Sequence, residues 1–261
     1  QYPIFTIACG PTNSIRGAMH LSGLKDAIIV DIGGTTTDVG VVQKGFPRQS
    51  ALAVDVGGVR TNFRMPDILA IGLGGGTVIH EKGNDFEIGP DSVGYRLPEE
   101  GQAFGGSVLT ATDVAIRLGL ADIPGTDPTR IQLSADHAQR AHQRMIEKVV
   151  DAIDRMKTSP DPVPVVLVGG GSILMPEQLP GASQVIRPQH SDSANAIGAA
   201  LGDISGDVEK VYSLSEMTYD EALDDAKQTA IQEAISAGAD PDTVRVMTVE
   251  DVPLAYMPGN A

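Results

Sequence analysis

Tryptophan is absent from this chain of 261 residues, and aromatic side chains make up only 4% of it. A core without large rings must be filled by Val, Ile, Leu and Ala, which suits sheets and helices packed through branched aliphatics. The lone Cys9 excludes an intrachain disulfide and fits a reducing cytoplasm. No run approaches the roughly 18 apolar residues of a membrane-spanning helix, and no signal-peptide pattern stands at the N-terminus. A cytoplasmic protein is therefore expected. Basic residues are scarce as well: 19 Lys and Arg against 34 Asp and Glu leave a formal net charge of −15. Such a surface repels phosphodiester backbones and anionic lipid, which argues against nucleic-acid and membrane partners. A nucleotide remains allowed, because backbone N–H groups and a divalent cation can neutralise phosphates locally. An initiating Met is missing too, so a chain that starts at Gln1 is expected to be an excised piece of a longer protein.

Glycine, by contrast, is plentiful: 30 residues, against a usual share of about 7%. Many fall in short runs, the pattern of tight turns and close backbone approach to a ligand. Around them the apolar periodicity predicts an α/β chain. Residues 27–31 and 39–42 are apolar runs separated only by small and polar residues, hence a hairpin. Residues 50–60, with Leu52, Val54 and Val56 on one face, are expected to add a third antiparallel strand. Upstream, residues 11–21 are compatible with a short helix capped by Ser14. Residues 68–76 turn from apolar to glycine-rich and run into Thr77-Val-Ile79, and residues 83–107 look like an irregular surface excursion. A short helix is expected over 110–120, with Ala111, Ala115 and Leu118 inward.

The clearest helix starts at the N-cap Ser134, and its stripe of Ala138, Ala141, Met145, Val149, Ile153 and Met156 runs to about Lys157. Val165-Val-Leu-Val168 is apolar throughout, as a strand buried on both faces must be. Residues 194–201 form a small-residue helix suited to close packing. Thr218-Tyr-Asp-Glu221 is a capping box opening a helix that Gly238 ends, and residues 244–249 are expected to form a final strand. The acidic run 220–225 is a solvated helix N-terminus. The whole is expected to be one lobe: a core over about 24–203, an irregular insertion over about 80–107, and a helix-strand extension over 204–261.

Two glycine motifs carry the chemistry. Asp31-Ile-Gly-Gly-Thr-Thr-Thr-Asp38 places carboxylates at both ends of a glycine/threonine turn. Gly33 and Gly34 let the backbone curl and aim N–H groups at an anion, while Thr35, Thr36 and Thr37 add hydroxyl donors. Asp31, at the strand end, fits a Mg²⁺ held through water or the orientation of an attacking water, and Asp38 fits the turn backbone or the metal shell. The plainer alternative is a Gly-rich hairpin with Asp and Thr as turn formers. It is neither a Walker A loop nor G-x-G-x-x-G. Far downstream, Gly169, Gly170, Gly171 and Ser172 follow the buried strand and offer bare backbone to a flat adenine or ribose. Tight strand-to-helix packing is the plainer alternative. Gly74, Gly75, Gly76 and Thr77, with His80 as an acid/base group, form a third candidate that could line the nucleotide or substrate pocket, or could be a packing turn. His137 and His142 stand on different faces of their helix and do not read as a zinc pair, and His190 reads as a loop residue.

In this order, the hairpin resembles the second phosphate motif of the actin/Hsp70/sugar-kinase superfamily, and Gly169 to Ser172 resembles its adenosine motif. More narrowly, the chain resembles the A-type, ATP-binding subunit of the hydantoinase/5-oxoprolinase family. That resemblance is carried by Gly10-Pro-Thr-Asn-Ser-Ile-Arg-Gly-Ala18, residues 31–42, Ile71-Gly-Leu-Gly-Gly-Gly-Thr77, Ile88-Gly-Pro-Asp-Ser-Val-Gly94 and Thr112-Asp113. Ala194-Asn-Ala-Ile-Gly-Ala-Ala200 and Gly238-Ala-Asp-Pro-Asp242 extend it. The resemblance implies an actin-like (ribonuclease H-like) ATPase core with a central mixed sheet flanked by helices. It implies ATP and Mg²⁺, with ATP phosphorylating the amide oxygen of a cyclic amide before water attacks. It also implies a B-type partner subunit or domain, and it is compatible with a homo-oligomer. Related carboxylases activate ketones or bicarbonate comparably. Two departures stand out. The family's first phosphate loop, also of Asp-Gly-Gly-Thr type, has no second copy here. Many relatives also carry a Cys after Gly-Pro-x-Ser-x-Gly, where this chain has Tyr95-Arg-Leu-Pro-Glu-Glu-Gly101. A small-metabolite kinase, an ATPase driving a partner, and a non-catalytic nucleotide-binding module remain the alternatives.

Overall fold

The structure is a computed structural model that describes residues 9–50, 55–56, 59–60, 65–83 and 85–252. Helix α1 (Cys9–Ser22) leads into β1 (Ala27–Ile32) and β2 (Thr37–Gln43), which pair antiparallel as the expected hairpin. Two strands then share β2: β3 (Phe46–Pro47) at one end and, after the small β4 (Asp55–Val56) and β5 (Val59–Arg60) ladder, β6 (Ile68–Ile71) at the other. The third strand expected over 50–60 is thus corrected. Ile68–Ile71 supplies the longer apolar run beside β2, and the Gly-Gly pair at 57–58 is itself a two-residue hairpin signal. Leu52 and Val54 lie outside the described residues.

Next come β7 (Thr77–Lys82) and β8 (Asp85–Ser92), an antiparallel pair, then α2 (Leu97–Glu100), α3 (Ala111–Arg117) and α4 (Ala135–Met156). Strands β9 (Val163–Val168) and β10 (Ala182–Ile186) and helices α5 (Ala194–Ala200) and α6 (Tyr219–Ser236) complete the order. The main sheet runs β10-β9-β1-β2-β3, with β9 parallel to both β1 and β10 and the rest antiparallel. The expected α/β class, a central mixed sheet flanked by helices, is what forms.

Alternation explains why the central strands are apolar throughout. Ile28, Val30, Ile32, Val165 and Leu167 join a core with Val114 of α3 and Met145, Val149 and Ile153 of α4. Ala27, Ile29, Val166 and Val168 join the opposite core with Ile15 and Ala18 of α1 and Ala194 of α5. Both faces are covered, so neither tolerates polar alternation. Gly40 of β2 leaves room for Ile15, whose Cδ1 would stand 2.5 Å from any added Cβ.

The helix signals were mostly sound. Ser134 Oγ accepts from His137 N at 3.1 Å, and all six stripe residues of α4 are buried. Thr110 and Asp113 form a capping box at α3, where Ala111 and Ala115 are buried while Leu118 ends half-buried at the C-cap. Ser14 is a correction. The helix already includes Cys9, so Ser14 lies inside it, buried, accepting from Asn195 Nδ2 at 2.9 Å. Residues 83–107 are a second correction. Their first part is β8, because Phe86 and Ile88 alternate inward, and α4 holds the hairpin through Arg144 on Asp85 (2.8 and 2.9 Å).

The chain falls into two compact units, residues 1–201 and 202–261. In the second, Thr218 and Glu221 cap α6, and Asp225 accepts from Lys210 Nζ at 2.7 Å and Tyr212 Oη at 2.8 Å. Gly238 follows the helix at φ +109°. The strand expected over 244–249 does not form. Val246, Met247 and Val249 are exposed, and a strand needs a neighbour to satisfy its backbone. Among the described residues, no helix is long and apolar enough to cross a membrane.

Helices α1 and α5 touch backbone to backbone. A Cβ on Gly17 would overlap the carbonyl of Ala194, and one on Gly198 that of Asn13, whereas Gly10 faces open space. Gly198→Ala should therefore destabilise the protein by about 1–3 kcal/mol in urea unfolding, and Gly10→Ala by less than about 0.5 kcal/mol. Equal effects would contradict the close packing.

Candidate functional site

Strands β1 and β9 run parallel, with Asp31 in register with Val168, so both release their following glycines at the same edge of the sheet. Carboxyl ends of parallel strands are where open α/β sheets bind ligands. The two glycine motifs, remote in sequence, meet there. A Cβ on Gly169 would overlap both the carbonyl oxygen of Ile32 and Oδ1 of Asp31, and one on Gly171 would lie 3.0 Å from Gly33 O. Gly169 has φ +82°, and its N–H donates to Ser191 O at 2.9 Å. Gly170 is exposed with open space above it; Gly171 and Ser172 are buried.

The third glycine run lies against the first. Gly75 N donates to Gly33 O at 3.0 Å and Gly76 N to Gly34 O at 2.7 Å. A Cβ on Gly74 would come within 2.5 Å of Thr35 N. Residues 74–76 are thus a bare backbone ledge supporting the turn. Thr112 clamps the ledge, its N and Oγ1 both donating to Gly75 O at 2.9 Å. Asp113 beside it is fully buried and accepts from Ala103 N and Thr110 N at 2.7 and 2.8 Å.

Within the turn, Gly33 N donates to Thr36 O at 2.9 Å, which closes the loop and leaves Gly34, Thr35 and Thr36 exposed. Asp31 and Asp38 stand opposite one another across the hairpin, both half-buried. Burial pushes the Asp38 carboxyl above the usual aspartate range, and the negative charge of Asp31 adds to the rise. Two carboxylates so placed, beside exposed amides and hydroxyls, are hard oxygen donors that suit a divalent cation. Among the described residues no group of three His, Cys, Asp or Glu could hold a metal, so such a cation would need phosphate or water oxygens as well.

The hydantoinase/oxoprolinase sequence profile matches residues 1–141, more than half of the chain. The chain belongs to that family. Over 142 residues it is 26% identical to the acetophenone carboxylase gamma subunit of Aromatoleum aromaticum strain EbN1, covering 52% of this chain and 19% of that protein. Its fold matches a nucleotide-free acetone carboxylase, from work on ATP-dependent acetone carboxylation, at a TM-score of 0.65 and 21% identity, over 89% of this chain and 39% of the other. The ATP-dependent caprolactamase of Pseudomonas jessenii matches at 0.62 and 19%, over 87% and 37%. The chain therefore spans well under half the length of these relatives.

Several residues of this hydantoinase/oxoprolinase chain differ from their sequence-based roles. Thr37 is fully buried and its hydroxyl donates to Leu73 O at 2.7 Å, so it secures the turn and is not offered to phosphate. Gly33 spends its amide on Thr36. Thr77 is also fully buried, with Oγ1 accepting from Gly74 N at 2.7 Å. Gly74, Gly76 and Thr77 build the ledge beneath the turn. His80 lies further along β7, paired through Nε2 with Asp91 at 3.0 Å. A cavity of about 540 Å³ is lined by Lys82, Asp85, Arg140, Gln143, Arg144 and Glu147.

One neighbour, Lys148, escapes the sequence, and His190, expected in a loop, lies in one. Lys148 reaches from α4 to donate to Gly72 O at 3.0 Å and Ile88 O at 2.7 Å, and burial lowers its pKa. Its spacing on a polar helix face gave no hint of this. His190, at φ +62°, precedes the Ser191 whose carbonyl receives Gly169 N. Nothing in the sequence marks a left-handed histidine.

Because the Asp38 pKa is raised on folding, its stability contribution is full below the unfolded aspartate pKa and is lost as pH rises through the folded one. Asp38→Asn should therefore melt at a higher temperature than wild type at pH 7 without ligand, and equally at pH 3. Melting curves that differ at pH 3 and converge at pH 7 would reverse the sign.

Proposed function

We propose that this chain is the actin-like ATP-binding lobe of an enzyme that uses ATP to activate an amide or carbonyl oxygen, and specifically of a cyclic-amide hydrolase of the hydantoinase/5-oxoprolinase type. The observation that carries the proposal is the convergence of the two glycine motifs at the carboxyl ends of β1 and β9, with paired carboxylates beside an exposed turn. Family membership supports the reaction class, and the name of the caprolactamase supports a cyclic amide.

In this reading the exposed Gly34, Thr35 and Thr36 receive phosphate oxygens, and the open face of Gly170 takes the nucleoside. Gly169, Gly171 and Ser172 shape that face from below. Asp31 and Asp38 would hold Mg²⁺, Asp31 through water, and the cation would offset phosphate charge. Asp31 also stands at the strand end where it can orient an attacking water. Phosphorylation of the amide oxygen makes the ring carbon electrophilic; water adds there, and the C–N bond breaks to release the ring amine. A second water hydrolyses the resulting acyl phosphate to carboxylate and inorganic phosphate. The opposing phosphate loop and a B-type subunit or domain lie outside this chain in the proposal. So does the partner surface, and a homo-oligomer is compatible with it.

A second reading, ATP-dependent carboxylation of a ketone, is favoured by the acetophenone carboxylase gamma subunit, the curated relative found over half of this chain. The two separate in one assay on the full-length protein with its partner. A hydantoin or lactam should accelerate ATP hydrolysis and emerge ring-opened, and Asp31→Asn should lower kcat about 100-fold or more. Stimulation only by a ketone with bicarbonate would establish the carboxylase instead. Phosphorylation of a hydroxylated metabolite would remove both.

Gly170→Val offers a narrower check. No atom within 4 Å obstructs a Cβ there, so the fold should persist while the KM for ATP rises about tenfold. An unchanged KM would place the nucleoside elsewhere.

A further inference from the structure

We propose that Tyr95 is a specificity-determining residue: its ring receives the second substrate, a planar neutral amide or carbonyl compound, at the rim of the phosphate turn. This rests on the functional reading above. Tyr95 is 93% exposed, more than any other large apolar side chain among the described residues. Its backbone is held firmly. Val93, buried, donates its N–H to Gly76 O at 2.9 Å, Gly94 N donates to Ser92 Oγ at 3.1 Å, and Arg96 N to Val93 O at 3.1 Å. Gly76 is in turn bonded to Gly34 at 2.7 Å, so an unbroken set of backbone hydrogen bonds joins the Tyr95 turn to the phosphate turn.

The residue before Tyr95 lies against the turn. A Cβ on Gly94, which sits at φ +57°, would lie 3.7 Å from Thr35 Cγ2. Tyr95 is one Cα step, about 3.8 Å, beyond. A phosphoryl acceptor must approach the transferring group to about 3–3.5 Å. Phosphates seated on residues 34–36 would therefore bring the acceptor to this rim.

The chemistry offered there is selective. Arg96 is engaged by Glu100 at 2.9 Å, and the more exposed group beside it is the Tyr95 ring. A tyrosine ring on a fixed backbone provides a flat apolar face at little entropic cost, and its hydroxyl can donate to an amide oxygen or accept from an amide N–H. Such a platform discriminates among second substrates and leaves the nucleotide to the glycine turns.

The test uses the full-length protein with its partner subunit, measuring separate KM values for ATP and for a cyclic amide, with hydantoin and caprolactam as probes. Tyr95→Ala should raise the KM for the accepted cyclic amide about tenfold while moving the KM for ATP less than twofold. Tyr95→Phe should recover most of the loss, and both variants should keep the wild-type melting temperature. An unchanged cyclic-amide KM in Tyr95→Ala, with wild type stimulated, overturns the assignment of Tyr95 alone. Parallel loss in both KM values also overturns it, since that is what a ring packed against the closing lobe would give. If wild type shows no stimulation by either probe, the functional reading falls and this proposal with it.

Discussion

Everything at this site depends on backbone meeting backbone where no Cβ intervenes. Gly75 and Gly76 donate to the carbonyls of Gly33 and Gly34, and Gly171 lies against Gly33 O. Gly169 presses on Ile32 O and Asp31. Three runs drawn from distant parts of the chain are thereby locked around one turn. Any methyl group added at Gly74 or Gly169 would collide with peptide atoms, which cannot move aside as a side-chain tip can, and one at Gly171 would meet Ile32 Cγ2. The lock consumes some donors and frees others. Gly33 N and the Thr37 hydroxyl are used internally, and Gly34, Thr35 and Thr36 are left facing solvent.

The sheet delivers the parts and the helices hold them level. Parallel β1 and β9 bring Asp31 and Val168 abreast, and α1 closes against α5 through Gly17 and Gly198 on one face. On the other face α4 contributes both apolar stripe and Lys148, whose two hydrogen bonds fasten Gly72 and Ile88 at the root of the ledge. From α3, Thr112 fastens Gly75, while Asp113 accepts from Ala103 N and Thr110 N. Several stretches that carry the family resemblance, including residues 10–18, 112–113 and 194–200, thus act by fixing backbone positions.

What the sequence revealed followed from local physics. The 27–42 hairpin, the α4 stripe, the buried 165–168 strand and the Thr218 capping box were legible because periodicity and caps are short-range signals. So were the glycine motifs as motifs. Their mutual contact was not, because Gly75 and Gly33 are joined by peptide groups that every residue has. Nor could sequence separate Thr35 and Thr36 from Thr37, since strand alternation turns only Thr37 inward to Leu73. The strand expected over 244–249 failed for want of a neighbour, and the one missed over Asp85–Ser92 was hidden by its Gly-Pro content while α4 covered it.

The carboxylates give the arrangement its chemistry. Asp38 is raised by burial and by Asp31, so the pair carries repulsion that a bound cation would relieve. Hydrogen exchange on the full-length protein, with and without MgATP, tests the central claim most directly. The account predicts slowed exchange at the amides of Gly34, Thr35 and Thr36 together with residues 169–171, and little change at Gly75 and Gly76, which are already bonded. Protection by MgATP elsewhere, with residues 34–36 unchanged, would contradict it.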